Sequence, residues 1–249
     1  MINRTAIDTL PHKNINFINK VNNIVSKYFD KPDKTYFKYD VDEYREILVS
    51  AQNKLNSIKL VQQTVKAVKD ELFILLDTDK ILVQQIAYLR ATRPVSSKLD
   101  EFIRFHRESF FGPGMDKCFN LWTPIKGVSK LNSINYIPLS HRIPLEKIKL
   151  KKVESKITKR YSAGHKLGLL YKDMIITKGV DLNKKTPLVV DKGNTAIFAC
   201  NLIHGSAINK SKNIRFSYDF RIIRKKDYNK KYFKTKNFAS NSDYFIEFN

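Results

Sequence analysis

Residues 201–223 read NLIHGSAINKSKNIRFSYDFRII. The second half alternates. Successive side chains of an extended strand project to opposite faces. Ile214, Phe216, Tyr218, Phe220 and Ile222 therefore share one face, and Arg215, Ser217, Asp219 and Arg221 share the other. The first half is an apolar run that ends in His204-Gly205-Ser206. Working outward, the segments 102–108, 118–124, 133–138, 187–190 and 195–203 are short and apolar or alternating. ILVQQIAYLRATRP (81–94) is rich in β-formers and stops at Pro94. Many short strands of this kind predict a β-sandwich or barrel.

Upstream the period changes. Tyr44, Ile47, Leu48, Ala51, Leu55, Ile58, Val61, Val65, Val68 and Leu72 recur at steps of three and four. That is one apolar stripe, on a helix or a broken helix pair. Asp42 reads as its N-cap, without a full capping box because Arg45 stands three residues later. Residues 1–40 read as a polar, irregular arm, packed or partly mobile. The chain thus divides into an arm with helices (1–80), a β core (81–223) and a basic C-terminal tail (224–249).

The 249 residues are 42% hydrophobic, enough to fill a core, which excludes wholesale disorder. Two cysteines, Cys118 and Cys200, make no disulfide framework and read as small apolar packing residues. No apolar run reaches the roughly 18 residues of a membrane span, and MINRTAIDTLPHKNINF lacks the apolar stretch of a signal peptide. A cytoplasmic location is expected. Lys and Arg outnumber Asp and Glu by 46 to 24, for a net charge of +22. The excess is mostly lysine in a chain rich in Asn and Ile. It reads equally as compositional bias or as selection for an anionic partner. Residues 147–160 and 224–236 each carry seven basic residues, the second interleaved with Tyr228, Tyr232 and Phe233. No nucleic-acid-binding motif accompanies them, so they read as a solvated loop and tail, with nucleic acid not the expected partner.

The chemistry lies in a few dispersed residues. In a strand His106 and Glu108 project the same way, offering one nitrogen and one carboxylate ligand. Such a pair is half of a 2-His-1-carboxylate facial triad, which binds Fe(II) and leaves positions open. His204, 98 residues on, offers the second imidazole. Arg215 follows it by eleven residues on the polar face of the alternating strand. An inward-facing guanidinium needs an anion. Either Asp219, four residues on, or a carboxylate ligand could supply it, and Arg suits a carboxylate because its planar fork pairs bidentately. Ser217 could add a hydroxyl. His141 reads as structural or as support behind the site, and His165 as a residue of an active-site loop. No phosphate-binding loop, dinucleotide fingerprint, Cys-x-x-Cys pair or nucleophile elbow is present.

Over residues 80–223 the sequence resembles the phytanoyl-CoA dioxygenase-type Fe(II)/2-oxoglutarate oxygenases, in particular branches of carbohydrate and secondary-metabolite biosynthesis. The resemblance is carried by His106-Arg107-Glu108, Asn120-Leu-Trp122-Thr-Pro124-Ile, NYIPLSH (135–141), GNTAIF (193–198), His204-Gly205-Ser206 and Arg215-Phe-Ser217. It implies a mainly β double-stranded β-helix, a cupin-like jelly-roll, with N-terminal helices outside one sheet. It implies that His106, Glu108 and His204 hold Fe(II), and that Arg215 takes the distal carboxylate of the co-substrate 2-oxoglutarate. Ser206, Ser217, Asn120 and Trp122 would line the co-substrate pocket. The family commonly has Asp where this chain has Glu108. A carboxylate at that position argues against a halogenase. The expected reaction is oxidation by molecular oxygen of a small, anionic metabolite such as a sugar or nucleotide-sugar. Two alternatives stay open: an oxygenase acting on nucleic acid or protein, and a non-catalytic jelly-roll binding module.

Overall fold

A computed structural model describes residues 6–94, 103–155, 158–170, 172–233 and 243–248. The segment read as an irregular arm is packed and forms regular elements. It forms β1 (Ile7–Pro11), α1 (Ile15–Tyr28) and the single turn α2 (Asp33–Tyr36). Helix α1 starts where the Asn14 side chain accepts from the Phe17 amide, and it buries Phe17, Ile18, Val21 and Val25. Those four residues make a stripe that the surrounding Asn and Lys residues dilute.

The long apolar stripe is a broken pair, α3 (Val41–Ser57) and α4 (Leu60–Leu76). The break is Lys59, a non-glycine residue in the left-handed region at φ 57°. The cap of α3 is Asp40, not Asp42. Its carboxylate accepts from the amides of Asp42 and Glu43, and Glu43 returns a bond to the Asp40 amide. The capping box denied by the Asp42 register is complete in the Asp40 register.

The expected strand 81–94 is two, β2 (Ile81–Gln84) and β3 (Tyr88–Thr92). The remaining elements are β4 (Cys118–Lys126), β5 (Asn135–Tyr136), β6 (Lys149–Glu154), α5 (Ala163–Lys166), β7 (Lys172–Lys178), β8 (Thr186–Pro187), β9 (Asn194–Ala199), β10 (His204–Gly205), β11 (Arg215–Arg224) and β12 (Phe245–Glu247). A seven-stranded antiparallel sheet runs β1-β9-β4-β11-β2-β12, with β3 also paired to β11. A smaller sheet runs β10-β5-β8, and β6 and β7 form a separate hairpin. This is the expected mainly β jelly-roll with N-terminal helices. Both ends of the large sheet come from segments read as flanking the core. β1 pairs with β9, and β12 pairs with β2.

β11 explains the layering. Its apolar face is fully buried against the helices: Phe216 meets Phe29 with ring centroids 4.8 Å apart, and the Tyr218 hydroxyl lies 2.8 Å from Thr64 Oγ1. Its polar face is mostly buried as well, on the side of the smaller sheet. The basic stretch 147–160 contains β6, and 224–236 contains two short 3-10 turns, with residues 234–236 outside the described part. Cys118 and Cys200 are free, buried thiols packed with Leu82, Ile223, Phe233 and Phe245. Among the described residues no helix is long and apolar enough to cross a membrane.

Loss of an N-cap typically costs about 1 kcal/mol, so D40A should lower the melting temperature by roughly 2–4 °C for a domain of this size. Circular dichroism melting of D40A against wild type measures this, and an unchanged midpoint would show that the box contributes nothing.

Candidate metal centre

His106 and His204 face each other across a single antiparallel bridge. Each amide donates to the other's carbonyl at 2.9 Å, and the ring centroids lie 4.5 Å apart. His106 Nδ1 sits 2.8 Å from the Arg104 carbonyl, and His204 Nδ1 sits 2.9 Å from the Leu202 carbonyl. A carbonyl only accepts, so each Nδ1 carries the proton and each Nε2 keeps its lone pair for a metal.

The backbone around Glu108 departs from the expected strand. Instead of continuing from His106, the chain turns into a 3-10 segment (Glu108–Phe110), and the Glu108 amide donates to the Cys200 carbonyl at 2.9 Å. The side chains converge nonetheless. Glu108 Oε1 lies 3.6 Å from His106 Nε2 and 3.9 Å from His204 Nε2, and the three ligand atoms all fall within 4.8 Å of one another. Two neutral imidazoles and one carboxylate are the donor set of a mononuclear Fe(II) centre with open positions. The residues present therefore fit that ion.

The electrostatics of Glu108 and His204 agree with this ligand set. Burial would raise the Glu108 carboxyl, but Arg221 and then the two imidazoles outweigh it and hold it well below the usual carboxylate range. Burial and the facing His106 lower His204 to about 4, which keeps its ring neutral at physiological pH. For His106 burial disfavours charge, but the bond and charge of Glu108 outweigh it and raise the pKa.

A cavity of about 830 Å3 opens on the cluster and extends to Arg215, Asn120, Trp122 and Ser206. Arg215 is 1% exposed. It donates to Ser217 Oγ at 2.7 Å and to Thr92 Oγ1 at 2.8 Å, while its Nε has no partner. Burial lowers its pKa to about 10, so it stays a cation at neutral pH. Asp219 does not neutralise it: that carboxylate takes Arg90 through two bonds of 2.6 and 3.1 Å. Trp122 Nε1 is likewise buried without a partner. Ser206 accepts from the Ile103 amide at 3.2 Å, and Asn120 Nδ2 lies 3.5 Å from Glu108 Oε1. Ser217 acts through Arg215 and is not itself part of the cavity wall. His165 lines the cavity, whereas His141 lies with Arg107 in a separate cavity of about 390 Å3.

Sequence reading missed Arg221 and Tyr244. Arg221 Nη2 donates to Glu108 Oε2 at 2.7 Å, and Nη1 donates to the Tyr244 hydroxyl at 2.7 Å. The alternation of 214–223 already placed Arg221 on the same face as Arg215. Nothing local marks Tyr244.

A family model for phytanoyl-CoA dioxygenase (PhyH) matches residues 17–217. No curated protein sequence matches the chain. Among solved structures, the apo non-heme monooxygenase ThoJ is similar at a TM-score of 0.55 and 13% identity, over 90% of this chain and 75% of that one. EvdO2 from Micromonospora carbonacea var. aurantiaca, complexed with 2-oxoglutarate, gives 0.50 and 13%, over 90% and 88%. EctD from S. alaskensis, with 2-oxoglutarate and 5-hydroxyectoine, gives 0.50 and 13%, over 91% and 74%. At such identities these structures speak for the shared fold.

The cluster should take up one Fe(II) or Co(II) per chain. Loss even of supporting groups around a metal costs about 10–100-fold in affinity, so H204A should weaken binding by at least about tenfold. Equilibrium dialysis under argon measures it, and undiminished affinity in a folded H204A protein would exclude His204 as a ligand.

Proposed function

The chain belongs to the phytanoyl-CoA dioxygenase family of Fe(II)/2-oxoglutarate-dependent oxygenases, and we propose that it hydroxylates a small anionic metabolite, such as a sugar or nucleotide-sugar, in the cavity beside His106, Glu108 and His204. Iron and 2-oxoglutarate, when bound, supply the oxidising chemistry: oxygen is consumed, 2-oxoglutarate leaves as succinate and carbon dioxide, and one oxygen atom enters a substrate C–H bond. The protein's own part is positional.

In this reading His106, Glu108 and His204 hold the metal from one side and leave the cavity side open. Arg215 receives the distal carboxylate of 2-oxoglutarate. Ser217 and Thr92 fix the plane of its guanidinium, so that the unpartnered Nε is offered to the ligand. Trp122 presents an indole N–H to the same region, and Asn120 and Ser206 complete its wall. The observation that carries the reading is Arg215: a buried cation without a protein carboxylate, in the same cavity as a three-ligand cluster.

The anionic substrate is supported by where the positive charge stands. β6 carries exposed Lys149, Lys151 and Lys152 and runs into Val153, Glu154 and Ser155 of the cavity wall. Arg45 and Arg104 also border the cavity. Such a distribution raises the local concentration of anions. Succinate release with Fe(II) and 2-oxoglutarate should rise with phosphorylated sugars or nucleotide-sugars and not with their neutral counterparts. Equal stimulation by the neutral sugars would defeat the anionic assignment while leaving the oxygenase reading intact.

Arg215→Ala removes charge-assisted bonds that contribute roughly 1.5–3 kcal/mol. At about 1.4 kcal/mol per decade, 2-oxoglutarate should bind about 10- to 100-fold more weakly, with metal affinity nearly unchanged. Trp122, the only tryptophan, lies in the cavity wall, so quenching of its fluorescence by 2-oxoglutarate reads the affinity directly. Equal affinities in wild type and a folded R215A protein would refute the assignment.

A further inference from the structure

Glu108 is divided between two tasks. Its Oε1 faces the two imidazoles at 3.6 and 3.9 Å, while Oε2 accepts from Arg221 Nη2 at 2.7 Å. Arg221 is itself held. Nη1 donates to the Tyr244 hydroxyl at 2.7 Å and approaches Gln84 Oε1 at 3.4 Å, and the Arg221 amide donates to the same Gln84 oxygen at 3.1 Å. Gln84 of β2 and Tyr244 of the segment leading into β12 thus meet on Arg221 of β11, which in turn holds one carboxylate oxygen of Glu108.

We propose that Arg221 is the positioning residue of the metal centre: it occupies Oε2 of Glu108 so that Oε1 alone is presented to the ion, and Tyr244 from the C-terminal segment keeps Arg221 in place. This rests on the metal reading of His106, Glu108 and His204. The physical case has two parts. A glutamate has one more rotatable bond than an aspartate, so its carboxylate reaches a fixed place only if something immobilises it. A buried, charge-assisted bond to a guanidinium does so, and an outer partner that orients a ligating carboxylate is a general requirement of metal sites. Arg221 is also a buried cation whose counter-ion among the described residues is Glu108. If the carboxylate is removed, the guanidinium remains, facing a carboxylate-sized space beside two imidazoles. That space should draw in a small anion from solution.

A purely structural tie between β11 and β12 would make neither prediction, and Co(II) binding separates the two. Wild type should bind one Co(II), with visible bands that report the ligand set. R221M, shown folded by circular dichroism, should lose about 10–100-fold in affinity and alter the bands. R221K should recover part of the loss, and Y244F should lose several-fold. E108A should lose Co(II) binding and regain it with formate at concentrations on the order of tens of millimolar, in the range of weak ion pairing, whereas E108A/R221M should not respond to formate. Wild-type affinity and bands in R221M would overturn the proposal, as would formate rescue that is indifferent to Arg221. Should R221M fail to fold, Y244F and the comparison of E108A with E108A/R221K under formate decide the matter, because Lys offers one donor where Arg offers a fork. If wild type itself binds no Co(II) or Fe(II), the metal reading falls and takes the proposal with it.

Discussion

Lying between β4 on one side and β2 with β3 on the other, β11 is largely withdrawn from water on both faces. Its apolar face can be filled by helices. The opposite face carries Arg215, Ser217, Asp219 and Arg221, and buried charges persist only where they are paired and hydrogen-bonded. The pairing organises the cavity. Arg90 is drawn onto Asp219, and Glu108 is drawn onto Arg221. Arg215 is left with hydroxyl partners only. The candidate metal cluster and the cation that would meet 2-oxoglutarate are thus two outcomes of one requirement: two cations and one anion on the polar face of a strand largely shut off from bulk solvent must find complementary groups across the cavity.

The excess of positive charge elsewhere follows another logic. Most of the lysines are exposed and their interactions are screened within about 8–10 Å at physiological ionic strength. They leave the internal pairing untouched and act, where they act, on what approaches the cavity. The β6–β7 pair brings exposed lysines toward the site, since the inner end of β6 is cavity wall, and Arg104 stands on the wall itself.

What could be read from the sequence was what is local. The alternation of 214–223 located β11 and its two faces, and the stripe from Tyr44 to Leu72 located α3 and α4. The convergence of His106, Glu108 and His204 was legible because each sits in a short, recognisable context, although the strand expected between His106 and Glu108 is a turn. The illegible parts have physical reasons. α1 hides its stripe among Asn and Lys. Asp40 and Asp42 both suit an N-cap, and only the register of the first turn distinguishes them. β1 and β12 are short edge strands, whose pairing is decided by distant partners rather than by their own composition. Tyr244 joins the site from the far end of the chain, lining the cavity and bonding to Arg221. A polar contact between side chains 23 residues apart, on separate elements, leaves no periodic trace.

The bridge between His106 and His204 also orders events in time. During synthesis His106 and Glu108 emerge 98 and 96 residues before His204, and Arg221 and Tyr244 emerge later still. A growing chain therefore displays two ligands without the third, and an unanchored carboxylate. β1 and β9 likewise pair over nearly the whole core, with Ile7 opposite Phe198. Contacts so far apart in sequence form late, because loop-closure entropy must be met before they contribute. A chain that has not closed its sheets has no three-ligand centre to offer a redox-active ion. If the centre takes metal as proposed, uptake would be a readout of completed topology, and metal in the medium would bias the chain toward the folded form by mass action.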